Sequence, residues 1–321
     1  MITNTPYDDV FRTISNDCRQ LVIPLINEMF DQQYGMDEEI TFLQNEHFLR
    51  KQDAEEDKII TDSCILIRDK KYHIECQSTP DGSMAIRMFE YDSEIALERG
   101  VLKEHVLEIT YPESGVLYLR STQNTPDQIK MILHFPGDEA TYDIPIMKMK
   151  DYSLEDILQK ELYFLIPFYL FTFEHRFDKI EEDNEQLKSL MQEYRFIVKK
   201  LDELVEAGRL NEFTQISLME MTRKVAENLA VKHEGIKKGV EAIMGGKILN
   251  YPAKDILNDG IQLGIQKGLQ KGLQKGRQEG AMWCYLNAVS RGMSQEDARA
   301  IAGISEEDAK KAIRLRKEGK I

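Results

Sequence analysis

At 321 residues the chain has room for two or three domains and a substantial core. Its formal net charge of −14 is unevenly spread: residues 1–172 carry 16 basic and 32 acidic residues, a net of −16, whereas residues 247–321 carry 14 and 9, a net of +5. The front of the chain therefore repels phosphate at long range, which excludes a general polyanion binder; any attraction to nucleic acid has to be local.

Four cysteines (Cys18, Cys64, Cys76 and Cys284) stand far apart with no CxxC spacing, which argues for reduced thiols in a cytoplasmic protein rather than a zinc cluster. The N-terminus lacks a basic stretch followed by an apolar run, so no secretion signal is expected. The longest apolar stretch, Leu162 to Phe173, is too short to span a bilayer and is interrupted by Pro167; it reads as a buried core element, and no membrane partner is expected.

Residues 7–34 have helical apolar spacing, with Val10, Phe11 and Ile14 followed by Leu21, Leu25, Ile26 and Met29, and with a break at Asn16-Asp17. Ile40 to Leu49 reads as a strand and Lys51 to Lys58 as a charged loop. Asp62 to Arg68 and Lys71 to Gln77 are strand-like runs around a two-residue turn, Asp69-Lys70, which sets Arg68 opposite Lys71 and Asp62 opposite Gln77. Ser83 to Glu98 is predicted as an amphipathic helix, and 116–119, 131–135 and 142–147 have strand composition. Helices, then strands, with one long helix after the hairpin, predict an α/β (α+β) domain over 1–172 in which helices flank a mixed sheet.

From Glu174 the pattern turns almost continuously helical. Ile180, Leu187, Tyr194 and Leu201 recur every seven residues, so residues 173–246 read as a coiled coil or a long helical hairpin, a possible route to a homo-oligomer. Residues 247–280 contain glycine at every fourth position from Gly260 to Gly280 and read as a partially helical spacer, the alternative being a stripe for close self-association. Residues 281–321 contain two capping boxes, Ser294 with Asp297 and Ser305 with Asp308, separated by Gly303. They predict a helix-turn-helix-like pair whose second helix bears Lys310, Lys311, Arg314, Arg316 and Lys317; the alternative is a plain helical hairpin.

Strand alternation places Asp62, Glu75 and Gln77 on one face and Cys76 on the other. Carboxylates on a rigid sheet suit a hard divalent cation, which ionises water and stabilises charge on a phosphodiester. The six histidines show no HxH or HExxH spacing, and His73 lies on the same strand face as Glu75. No P-loop or G-x-S-x-G pattern is present.

Together these residues resemble the PD-(D/E)XK nuclease superfamily, and more narrowly the recombination-promoting nuclease/putative transposase (Rpn) family. Asp8, Phe11 and Arg12 resemble its opening DxxFK helix with arginine for lysine. Ile74, Glu75 and Gln77 match its IExQ strand, and Arg87 with Tyr91 resembles the RxxxY helix that follows. The resemblance covers roughly residues 5–175. It implies a restriction-endonuclease-like αβββαβ core, followed by an all-helical C-terminal region, acting as a metal-dependent DNA endonuclease in recombination or mobile-element biology. Asp62, Glu75 and the Cys76 carbonyl would bind Mg²⁺ or Mn²⁺, and Asp8 would complete the site, with Asp9, Glu28 and Glu46 as further candidate acids. Arg87 and Arg12 would contact substrate phosphate. Gln77 stands where the commoner motif has lysine; it orients water but carries no charge. That departure implies an alternative, a weak or inactive nuclease-fold protein serving as a DNA-binding or oligomeric module.

Overall fold

The computed structural model describes residues 5–43, 46–49, 57–60, 63–80, 82–98, 100–245, 276–277 and 280–317. Two units arise, residues 1–250 and 251–321. The first opens with α1 (Pro6–Asp17) and α2 (Val22–Phe30), joined by a single 3-10 turn. Thr5 and Asp8 form a capping box, and Pro6 occupies the first helical turn, where its missing N–H has no intrahelical role. Both helices bury their apolar stripes, including Phe11, Ile14, Leu25 and Ile26.

Three strands then run as an antiparallel meander: β1 (Ile40–Phe42), β4 (Ser63–Ile67) and β5 (Lys70–Gln77). Between the first two lies a separate ribbon of β2 (Glu46–Leu49) and β3 (Asp57–Ile60), so the single strand expected over 40–49 is two strands in different sheets. Helix α3 (Met84–Glu98) and an exposed hairpin of β6 (Val101–Lys103) and β7 (Val106–Glu108) precede β8 (Glu113–Tyr118), which pairs parallel to β5. A further hairpin, β9 (Gln128–Phe135) and β10 (Asp138–Lys148), completes a six-stranded mixed sheet in the order β1-β4-β5-β8-β10-β9. The chain is thus of mixed α/β architecture, with a helical C-terminal region.

The β4–β5 turn differs from the expected one. Ile67 pairs with Lys70, so the loop residues are Arg68 and Asp69. Arg68 takes a left-handed φ of 56°, its guanidinium lies 5.4 Å from the Tyr34 ring, and it pairs with Glu38. Those contacts anchor the turn one residue earlier and slide the ladder by two. A two-residue slip leaves every side chain on its expected face. Tyr72, Ile74 and Cys76 face the α1–α2 side, and His73, Glu75 and Gln77 face α3.

The change of character at residue 173 marks a change of secondary structure within one core, not a domain boundary. A 3-10 segment, Tyr163–Arg176, is buried through Pro167 and leads into α5 (Phe177–Glu182), α6 (Asn184–Glu206), α7 (Glu212–Leu229) and α8 (Glu234–Gly245). The heptad positions Leu190, Tyr194, Ile197 and Leu201 join the same cluster as Phe11, Ile74 and Phe164. The seam therefore packs on neighbouring helices of its own chain, as a helical bundle.

In the second unit, residues 280–290 are helical, followed by Gln295–Ala302 and Glu306–Lys317, with the turn at Gly303 in the left-handed region. Ser294 and Ser305 cap the two helices through the amides of Asp297 and Asp308. Met282, Tyr285, Leu286, Ala298, Ala309 and Ala312 form their core. Apart from Gly276 and Gly280, the glycine stripe lies outside the described residues. No helix among them is long and apolar enough to cross a membrane.

Candidate functional site

Central strand β5 carries the site. Beyond Ile74 it has no described β4 partner, while Glu75, Cys76 and Gln77 continue to pair with Val116, Leu117 and Tyr118 of β8. The Gln77 carbonyl accepts from the Leu119 amide at 3.0 Å. Successive carbonyls alternate along a strand, so that of Cys76 turns to the opposite edge.

Glu75 is 5 % exposed and lies in a buried polar chain. His73 Nε2 is 3.0 Å from Glu75 Oε1, and His73 Nδ1 is 2.7 Å from Asp92 Oδ1. The Ser114 hydroxyl donates to that same Asp92 oxygen at 2.6 Å. Burial pulls the His73 pKa down, but hydrogen bonds to the Asp92 and Glu75 carboxylates outweigh it and raise it to about 9. Both ring nitrogens are thus engaged by carboxylate oxygens. Tyr91, buried on α3, meets the ring edge-on with centroids 5.9 Å apart. Asp92 and Ser114 escaped the sequence reading because their partner lies on another element. One signal was available: Asp92 sits within the apolar stripe of Met84, Met88, Tyr91 and Ile95, where a carboxylate needs a buried partner.

Arg87, one turn before Tyr91, extends its guanidinium across the helix–sheet gap and donates to Gln77 Oε1 at 3.0 Å. Gln77 Oε1 is thereby an acceptor, and the donors of that amide lie on its NH₂. Asp8 contributes from the N-terminus of α1. Burial raises its pKa, bonds from Thr5 and the charge of Arg12 lower it, and the Glu75 charge, the smallest of these influences, raises it. Both Asp8 oxygens accept from Thr5, at 2.7 Å from its amide and 2.9 Å from its hydroxyl. Arg12 is half-buried one turn along α1.

The other candidate acids divide. Glu28 binds Lys160 and the Tyr152 hydroxyl, at 2.6 and 3.1 Å. Asp9 is exposed, and Glu46 pairs with Ile60 in the β2–β3 ribbon. Asp62 lies outside the described residues, next in sequence to Ser63, which pairs with Ile74. Among the described residues no group of three His, Cys, Asp or Glu side chains is arranged to hold a metal ion.

Two further cations stand at this edge of the sheet. Arg120, just past β8, makes a double hydrogen bond to Glu174 at 2.6 and 2.8 Å and lies over Phe171 and Tyr7. Lys148 shares a cross-strand row with Tyr118 and Gln77, and its ammonium meets Asp127 at 2.5 Å. Comparison of the chain with protein-family models, with curated proteins and with solved structures gives no match.

Proposed function

We propose that this chain is a divalent-metal-dependent endonuclease that hydrolyses phosphodiester bonds in DNA, in the setting of recombination or mobile elements. The observation that carries the reading is Glu75, fixed on a central strand by His73 and beside Gln77, with Arg87 bonded to Gln77. The order of elements, two helices, a three-strand meander, a helix and a parallel strand, supports a restriction-endonuclease-like αβββαβ core.

The donor chemistry suits a hard cation: carboxylate oxygens of Glu75 and Asp62, with the Cys76 carbonyl, are the ligand types that Mg²⁺ and Mn²⁺ take. When bound, such an ion supplies Lewis acidity and a more acidic water. Glu75 holds the charge that attracts it. Gln77 presents its NH₂ to a water or a phosphate oxygen, and Arg87 provides behind that amide the positive charge that a lysine would have brought. Arg12 and Arg87 bind the phosphate backbone.

One observation favours a second reading, a nuclease-fold DNA-binding module without catalysis: both Asp8 oxygens are engaged in capping α1. Plasmid nicking in Mg²⁺ separates the two. Wild type nicks, while Asp62→Ala and Glu75→Gln, each verified as folded, do not. Nicking that persists undiminished in both variants would remove these residues from the mechanism; a wild type that binds DNA but never nicks selects the module.

A further inference from the structure

We propose that His73, braced by Asp92 and Ser114, is a positioning residue that holds the Glu75 carboxylate in one orientation for a divalent cation. The inference rests on the metal site proposed above and extends it to three residues that touch neither metal nor substrate.

The hydrogen-bonded chain runs through three elements, from Ser114 on β8 to Asp92 on α3 to His73 and Glu75 on β5. The side chains of His73 and Asp92 are wholly buried, and that of Glu75 is 7 % exposed. The imidazole is held at both nitrogens and flanked by Tyr91, so it cannot turn without breaking two short bonds to carboxylates. Fixing Oε1 fixes the plane of the Glu75 carboxylate and hence the direction of its second oxygen.

Asp92 holds the ring from its far nitrogen, and the Ser114 hydroxyl holds Asp92 in turn. Burying three ionisable groups is unfavourable beside an apolar trio of equal volume, so packing by itself gives no reason for them. Partners that orient metal ligands from behind change metal affinity by about 10–100-fold.

The test is Mn²⁺ titration calorimetry on the full chain, with melting of the metal-free protein recorded for each variant. His73→Gln keeps an amide donor near the Nε2 position, facing Glu75, whereas His73→Asn, one methylene shorter, reaches only towards Asp92. The expected result is Mn²⁺ affinity within about threefold of wild type for His73→Gln and a loss of about 10–100-fold for His73→Asn and Asp92→Asn, as for other residues that orient ligands. Comparable drops in melting temperature for His73→Gln and His73→Asn would accompany that split. Wild-type affinity in His73→Asn, or equal losses in the two His73 variants, overturns the positioning role while the metal site stands. Should His73→Asn fail to fold, Asp92→Asn, which preserves side-chain shape, decides alone: unchanged affinity refutes the role. If wild type takes up no Mn²⁺, or Glu75→Gln takes it up undiminished, the metal-site reading itself fails and the inference falls with it.

Discussion

The folded protein holds a proton on His73 more tightly than the unfolded chain does, and its stability must therefore depend on pH in a defined window. A histidine in an unfolded chain titrates near about 6.5. In the folded state burial works against the charge, yet the bonds to Asp92 and Glu75 raise the value to about 9. Because the folded pKa is the higher one, the stabilisation is fully present below about pH 6.5 and is lost as pH rises through 9. One proton is worth about 1.4 kcal/mol per pH unit, so the interval amounts to roughly 3 kcal/mol, a large part of a typical domain's stability. Urea unfolding at constant ionic strength, followed by far-ultraviolet circular dichroism between pH 6 and 9.5, measures it directly. The wild-type midpoint should fall across this window, and the midpoint of His73→Gln should show a much shallower fall. The subtraction removes the contributions of the other histidines. Parallel curves for the two proteins would refute the argument, because they would mean that the folded state buries a neutral imidazole and that Glu75 or Asp92 carries the proton instead.

Two other outcomes follow from particular side chains. The Tyr194 hydroxyl is buried with no hydrogen-bond partner among the described residues, so Tyr194→Phe should stabilise the protein by about 1 kcal/mol, read as a higher urea midpoint; a lower midpoint would show that the hydroxyl is satisfied in solution. Replacing Gln77 by lysine sets a second cation against Arg87, so Gln77→Lys alone should weaken Mg²⁺-dependent nicking. Arg87→Gln alone should cost on the order of 100-fold, and the double variant should recover most of the activity, because charge has only changed places. An inactive double variant, folded and binding Mn²⁺, would remove Arg87 from that role.

The sequence foretold elements whose signal is local. Apolar spacing set α3 within a residue of its start, and the Ser–Asp pairs located both C-terminal helices. The faces of β5 were legible because alternation has a period of two, which also explains why a two-residue error in the β4–β5 register did no harm to them. What was hidden depends on distance along the chain. The ribbons β2–β3 and β6–β7 have strands of three or four residues, too short to show a period. The seam of α6 left a coiled coil and a helical hairpin both open, because nothing in a heptad says whether its partner is another copy or, as for these positions, helices of the same chain. Asp92, 19 residues from His73, shows its purpose only when α3 lies across the sheet.

On the proposed reading, an acidic front half has to meet a phosphate substrate through the cations at one edge of its sheet. Strands β5, β8 and β10 are mutually parallel, so their carboxyl ends share one edge of the sheet. Gln77 with Arg87, then Arg120 in its pair with Glu174, then Lys148 in its pair with Asp127 succeed one another along that edge, and Tyr7, the neighbour of Asp8, lies under Arg120. Carboxyl ends of parallel strands are where open α/β sheets take their ligands, since backbone and side chains diverge there from a rigid base. The first 172 residues, with a net charge of −16, gain little from long-range steering. Once the backbone is within reach, the screened far field matters less than a guanidinium a few ångströms away, because charge interactions at surfaces decay over about 8–10 Å in physiological salt. On the proposed reading, such a domain would bind DNA weakly until a cation joins Glu75 and the local balance turns positive.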